Sequence, residues 1–332
     1  MGGDSGPEVL IQGAIEALKD SDDRLWIVLI GDQNQVRPLL HKHDPGGRYT
    51  PRCEIVHAAE SVAMDEEAAA SVRRKKESSL AIGMRMMKEG SMDALFSAGS
   101  TGATVAAALL SLGRIAGVSR PALATLVPAD TPGGSCLLLD IGATADCKPL
   151  HLQHFALMGD LYARHVMGVA TPRVGLLNIG EESSKGNELA VESHKLLKET
   201  PIHFIGNVEG RDILKGSVDV VVTDGFTGNV VLKFIESIYA WMGGIVRRRA
   251  ERNPFFAVVG MGLKSALKKR VDPDEYGGAP LLGVNGVCII GHGRTSPLAV
   301  KNGVGMARRF VENGLNQQIQ VILGRQREQH VG

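Results

Sequence analysis

Aromatic residues make up only 4% of the sequence, and cysteine occurs four times in 332 residues. So few rings argue against a stacking platform for single-stranded nucleic acid. Cys53, Cys136, Cys147 and Cys288 stand far apart, with no CxxC pair and no zinc-type His/Cys spacing. Cys136 and Cys288 sit in apolar runs and read as buried free thiols, which implies a reducing cytoplasm. The net charge of +1 indicates neither a nucleic-acid partner nor an acidic tail. There is no secretory leader and no uninterrupted apolar run of spanning length, so a soluble or peripheral protein is expected. G-x-S-x-G, H-E-x-x-H and the P-loop are missing too, and the glycine-rich Met1–Pro7 lacks a dinucleotide fingerprint.

What the chain does have is alternation. Strand-like runs at 25–30, 54–57, 93–97, 123–127, 135–140, 173–179, 203–205, 218–223 and 287–290 are mostly separated by helical patterns. These helices are expected at 7–19, 78–88, 101–112, 150–167, 187–198 and 228–249. Such a pattern predicts an α/β protein, doubly wound, with a largely parallel sheet and helices on both faces. Hydrophobic content of 44% and 41 glycines suit a loop-rich enzyme of that class. Residues 1–314 read as a single α/β domain and 315–332 as a C-terminal helix and tail.

Several strand ends carry the same furniture. The segment Val174–Glu188 runs from an apolar strand into Gly-Glu-Glu-Ser-Ser-Lys-Gly-Asn and then a helix. Others lead into Ser97-Ala-Gly99-Ser-Thr101-Gly102, Asp140-Ile-Gly-Ala-Thr144, Asp224-Gly225-Phe-Thr-Gly-Asn229 and Gly291-His292-Gly293. A glycine after a strand is common, and Asn187 also fits a plain helix cap. Five such loops together point to an anionic, phosphate-bearing substrate, because glycine admits close approach and helix N-termini offer free N–H groups. A site handling free phosphate must mainly position reactants and stabilise an oxyanion. Lys185, Asn187 and Asn229 are the candidate catalytic donors. Asp4, Ser97, Gly99, Thr101, Gly102, Asp224, Gly225 and His292 are candidates for shaping the phosphate pocket. Glu181 and Glu182 suit a phosphate dianion poorly unless they pair with Lys185 or an arginine or hold a metal; pairing is favoured, since no second carboxylate cluster with metal spacing accompanies them, and they read as supports for the lysine. No metal and no cofactor is expected.

In these blocks, together with Met1–Asp4, Arg73–Ser79, Leu112–Ala122, Gly206–Asp212 and Tyr276–Leu282, the chain resembles the bacterial PlsX family of phosphate acyltransferases from Met1 to about Ala307. The resemblance implies a fold similar to phosphotransacetylases and to the isocitrate/isopropylmalate dehydrogenase class. It implies formation of acyl-phosphate from acyl-[acyl-carrier-protein] and inorganic phosphate, in a homodimer. The product would supply the membrane acyltransferase that acylates glycerol 3-phosphate in phospholipid synthesis. Two positions depart from the family pattern: Ser100 and Thr144 each stand where asparagine is usual. Relatives also carry a short first strand ahead of the Gly-Gly-Asp motif, so a strand is expected to be missing here. A phosphotransacetylase-like enzyme acting on acyl-CoA, a divalent-metal dehydrogenase of similar fold and a catalytically decayed scaffold are the alternatives.

Two basic runs bear on partners. Arg74, Lys75 and Lys76 precede Ser78, which is placed to cap the next helix. Residues 245–270 form a basic amphipathic helical insert, with eight Lys/Arg against Glu251 alone; its +7 leaves −6 for the rest of the chain. Phe255, Phe256 and Leu263 lie in its uncharged middle, and Lys268 and Lys269 flank it. Contact with an anionic membrane surface or the acidic carrier protein is the expectation, hence a cytoplasmic, peripherally membrane-associated enzyme.

Overall fold

The computed structural model describes residues 3, 6–252 and 273–331. In chain order the first elements are α1 (Gly6–Lys19), β1 (Ile27–Gly31), α2 (Gln33–His43), β2 (Cys53–His57), α3 (Ala68–Arg74), α4 (Ser79–Lys88), β3 (Ala94–Ser97) and α5 (Thr101–Ser111). Next come β4 (Ala122–Pro128), β5 (Ser135–Leu139), α6 (Pro149–His165), β6 (Val174–Leu177), α7 (Glu188–Lys198), β7 (Phe204–Val208), α8 (Gly210–Lys215), β8 (Val220–Val222) and α9 (Gly225–Arg252). The chain closes with α10 (Pro273–Tyr276), β9 (Ala279–Leu282), β10 (Val287–Ile290), α11 (Pro297–Glu312) and α12 (Leu315–Val331). Where the sequence reads as one domain over 1–314, the chain divides into two compact units. One comprises Met1–Pro121 with Tyr276–Gly332, the other Ala122–Glu275.

In the first unit, β1 and β2 pair in parallel, and β3 pairs in parallel with β10, which pairs antiparallel with β9. The amphipathic spacing of α1 buries Ile11, Ile15 and Leu18 with Val36 and Leu40 of α2. Gly13 lets α1 lie tight on α11, since a Cβ there would stand 2.5 Å from Val300 Cβ. α2 is not evident in the sequence, where Pro38 argues against a helix interior. It forms because Asp32 caps it through the Asn34 N–H and its apolar residues complete the α1 core.

In the second unit, β4 lies antiparallel to β5, and β5, β8, β6 and β7 follow in that order, all parallel. Every residue of β5 and β8 is buried, as parallel strands covered on both faces require. α6 packs on this sheet at Gly159, where a Cβ would meet Val220 at 2.7 Å and Leu139 at 3.1 Å. The start of β6 is pinned by Arg173, whose guanidinium donates to both oxygens of the buried Asp219 at 2.9 and 2.8 Å. Burial alone would raise the Asp219 carboxyl, yet the Arg173 bonds hold it below the ordinary range. Cys136 and Cys288 are free and buried. Burial pushes the Cys288 thiol up to about 12 and Cys136 higher still, so neither serves as a thiolate at neutral pH.

Candidate active site

Parallel pairing brings the carboxyl ends of β5, β8 and β6 side by side in the second unit. The loop after β6 is folded around Asn178. Its Nδ2 donates to the Lys185 carbonyl at 2.8 Å, and its Oδ1 accepts the Ile179 N–H at 2.8 Å. Gly186 has φ of 100°, and a Cβ there would stand 2.5 Å from Asn178 Oδ1, so only glycine closes the loop. Asn187 is the N-cap of α7: its Oδ1 accepts the Ala190 N–H at 2.9 Å, leaving its Nδ2 as a donor. Lys185 and Asn187 are both exposed.

The two acidic neighbours play different parts. Glu181 pairs with Arg211 of α8 at 3.1 Å. Glu182 acts through its carbonyl, which accepts the Lys185 N–H at 3.0 Å and Asn207 Nδ2 at 2.8 Å. Asn207 is braced in turn by His194, whose Nδ1 lies 2.9 Å from Oδ1. Of the two partners the sequence leaves open for these carboxylates, Lys185 or an arginine, Glu181 takes an arginine. Among the described residues neither forms an ion pair with Lys185; the main chain and Asn178 hold the loop.

At the end of β5 the buried Asp140 gathers four main-chain donors. Oδ1 accepts from Leu123, Gly142 and Ala143 at 2.8, 3.0 and 3.0 Å, and Oδ2 accepts from Thr144 at 2.6 Å. Burial pushes its carboxyl above the ordinary range while these four bonds pull it back. Gly225 and Gly228 of α9 pack directly on this loop. A Cβ on Gly225 would stand 2.6 Å from Asp140 Oδ2, and one on Gly228 would stand 1.9 Å from the Asp140 carbonyl. Gly225 is therefore a buried packing position, not one left open for phosphate. Asp224 is likewise occupied: Thr227 donates its N–H to Oδ1 at 2.8 Å and its hydroxyl to Oδ2 at 2.7 Å, capping α9. Asn229 is exposed, with its Nδ2 3.1 Å from where a Gly142 Cβ would lie.

The first unit holds the remaining candidates at the carboxyl ends of the parallel pair β3 and β10. The Ser97 hydroxyl lies 3.2 Å from that of Thr104 and accepts from Gly99 N–H at 3.4 Å. Ser100 caps α5 by accepting the Ala103 N–H, and the exposed Thr101 and Gly102 open its first turn. His292 is exposed and accepts the Arg294 N–H on Nδ1 at 3.1 Å, so the neutral ring carries its proton on Nε2. Asp4 lies outside the described residues, as do Phe255, Phe256, Leu263, Lys268 and Lys269. Arg74 pairs with Glu66 at 3.4 Å. Lys75 is half-buried, pairing with Glu66 and donating to the Ser61 carbonyl at 2.8 Å, so of the three only Lys76 is exposed with no ion pair among the described residues.

Comparison with known proteins places the chain. A family model for fatty acid synthesis proteins matches residues 1–318. The phosphate acyltransferase of Heliobacterium modesticaldum is 48% identical, covering 96% of this chain and 95% of the relative. That of Myxococcus xanthus is 46% identical, covering 98% and 92%. The chain belongs to the PlsX family of phosphate acyltransferases. PlsX relatives of such identity make it a transferase, and the fold agrees. A Streptococcus pyogenes phosphotransacetylase superposes with a TM-score of 0.59 at 18% identity, covering 92% of both chains. The EutD phosphotransacetylase of Staphylococcus aureus gives 0.58 at 16%, with the same coverage.

The elements that sequence reasoning missed around the PlsX-type loops are Asn178, Asp140 and Arg211. Asn178 stands inside the motif itself, and an asparagine at a strand end was its only signal. Asp140 bonds to main-chain groups, which leave no trace in residue identity.

Proposed function

We propose that this chain converts acyl-[acyl-carrier-protein] and inorganic phosphate reversibly into acyl-phosphate. The observation that carries the reading is Lys185. It is an exposed lysine without an ion-pair partner among the described residues, in a loop where Glu181 is paired to Arg211 instead, beside the amino end of α7. A phosphate oxygen adds to the thioester carbonyl carbon, forming the new C–O bond and a tetrahedral oxyanion. Collapse breaks the C–S bond, and the proton of hydrogen phosphate ends on the departing thiolate. Phosphate is already nucleophilic and a thiolate leaves readily, so positioning and charge stabilisation suffice. Lys185 neutralises phosphate and the oxyanion, and the Nδ2 groups of Asn187 and Asn229 orient them. Ser97, Gly99, Thr101, Gly102 and His292 contribute to substrate binding.

The acyl-phosphate would then feed a membrane acyltransferase acting on glycerol 3-phosphate. The proposed setting is a cytoplasmic homodimer that docks the carrier protein and touches anionic membrane. Support for an added interface comes from α9. Phe226, Val230, Phe234 and Trp241 are exposed along it, and Gly225–Val246 is long and apolar enough by composition to cross a membrane, although a Lys233–Glu236 pair interrupts it. We assign this stripe to the dimer, and the +7 run of residues 245–270 to anionic lipid.

The deciding experiment supplies radiolabelled phosphate with either acyl-carrier thioester or acyl-CoA. Labelled acyl-phosphate from the carrier thioester, with matching thiol release, is expected. Turnover with acyl-CoA alone would assign the alternative donor, and no phosphate-dependent thiol release would remove the reading.

A further inference from the structure

A single extra residue in β7 decides where Asn207 points. Successive side chains of a regular strand face opposite ways, so Phe204 and Asn207, three residues apart, belong on opposite faces of the sheet. Both nevertheless meet His194 of α7. The Phe204 ring stands edge-on to the imidazole with centroids 5.2 Å apart, and Asn207 Oδ1 lies 2.9 Å from His194 Nδ1. The cause is a bulge: Val174 of β6 is opposite Phe204 but Gly175 is opposite Gly206, which leaves Ile205 without a partner. An extra residue of this kind turns the next side chains to the other face. Gly206 carries the bulge with φ of 100°, a conformation that residues with a Cβ rarely adopt.

Re-aimed in this way, Asn207 is buried against the loop that carries Lys185. Its Nδ2 donates to the Glu182 carbonyl at 2.8 Å, and the same carbonyl accepts the Lys185 N–H at 3.0 Å. A carbonyl only accepts, so the amide presents Nδ2 there and Oδ1 to His194, whose Nδ1 therefore carries a proton. On the other side of Lys185, its own carbonyl accepts from Asn178 Nδ2. Asn178 follows β6 directly, and its N–H donates to the Val208 carbonyl of β7 at 2.8 Å. Two side-chain amides from adjacent strands thus hold the peptide groups on both sides of the Lys185 Cα.

We propose that Asn207 is a positioning residue for phosphate capture, aimed by the β7 bulge and kept in orientation by His194. It acts through the Glu182 carbonyl on Lys185. The proposal rests on the reading that Lys185 meets phosphate. It extends control of that site to His194, a half-buried residue with no other part in the proposed chemistry.

The test measures phosphate-dependent acyl transfer by the full chain, with circular dichroism melting as the check on folding. Asn207→Ala should lower kcat/KM for phosphate about tenfold while KM for the acyl thioester stays within about twofold. Asn207→Asp keeps the acceptor for His194 but loses the donor, and should be as impaired. His194→Phe should lose about threefold, and His194→Gln, which keeps a donor, should recover most of it. In the Lys185→Ala background, Asn207→Ala should change kcat/KM by less than about twofold, because the two residues act as one unit.

A folded Asn207→Ala enzyme with phosphate kinetics like the parent's overturns the proposal. So does an undiminished loss in the Lys185→Ala background, which would put Asn207 in direct contact with substrate. If Asn207→Ala does not fold, the His194 variants decide: equal activity of His194→Phe and His194→Gln overturns the proposal. Lys185→Ala with parental phosphate kinetics removes the underlying reading and the proposal together, whereas an impaired Lys185→Ala beside a normal Asn207→Ala removes the proposal alone.

Discussion

Asn178 and Lys185 are joined by one hydrogen bond, from the Asn178 side-chain amide to the Lys185 carbonyl at 2.8 Å. It spans the loop after β6 and fixes the main chain that carries the lysine. Asn178→Ala should lower kcat/KM for phosphate by about tenfold, the worth of one such bond at an exposed site. Asn178→Asp keeps the acceptor for Ile179 but loses the donor to Lys185, and should be as impaired. An aspartate variant with full activity would show that the donor bond does not matter. Circular dichroism melting within a few degrees of the parent would separate positioning from loss of fold.

Lys185 itself should matter more. Lys185→Ala removes the charge proposed to face phosphate and the oxyanion, and a loss of about 100-fold or more in kcat/KM is expected. Lys185→Arg keeps the charge on a different fork and should fall between the two. Steady-state assays varying phosphate would read both. A folded Lys185→Ala enzyme with near-normal turnover would move the chemistry to other residues.

Gly228 tests the Asp140 cradle. A Cβ there would stand 1.9 Å from the Asp140 carbonyl and 2.9 Å from Thr223 Cγ2, and main chain cannot step aside cheaply. Gly228→Ala should destabilise by about 3 kcal/mol, while Gly133→Ala, with nothing within 4 Å, should stay within about 0.5 kcal/mol. Urea midpoints of the two variants give the comparison directly.

Much of this framework was legible from residue order. β10 falls on the strand read from its apolar run, and α5 and α7 begin at or beside their capping residues Ser100 and Asn187. Local rules suffice there, because each signal and its structural cause lie within a turn of one another. Helix α2 escaped notice because Pro38 argues locally against it, and burial of Val36 and Leu40 outweighs that argument only in three dimensions. That Glu181 pairs with an arginine is among the readings the sequence leaves open, but which arginine is not legible, because thirty residues, a helix and a strand separate it from Arg211. Gly225 was misread because glycine serves packing and ligand approach alike, and only the position of Asp140 tells them apart.

His154 predicts a pH dependence. It lies buried in α6, where burial, with a smaller contribution from the charge of His151, pushes its imidazole down to about 4. The unfolded chain binds this proton near pH 6.5, whereas the folded chain stays neutral until about 4. Between those values the unfolded state holds more protons, so stability is intact above about 6.5 and declines as pH falls toward 4. At pH 5 the loss from this residue alone should be about 2 kcal/mol. His154→Gln should flatten the decline, measured as the difference between urea midpoints at pH 7 and pH 5. An equally steep decline in the variant would assign the dependence to other groups.

Phe234 and Trp241 carry the last prediction. They stand two turns apart on α9, and each is 65% exposed. Large aromatic side chains each gain about 2–3 kcal/mol on leaving water, so a row of them on one helix face favours association. Phe234→Glu with Trp241→Glu places two charges in the proposed dimer contact and should shift sedimentation from dimer to monomer at micromolar concentration. Binding to vesicles rich in anionic lipid should persist at low salt, because the basic run of residues 245–270 keeps all its lysines and arginines. A dimer left intact with vesicle binding lost would reverse the two assignments and make α9 the lipid-facing element.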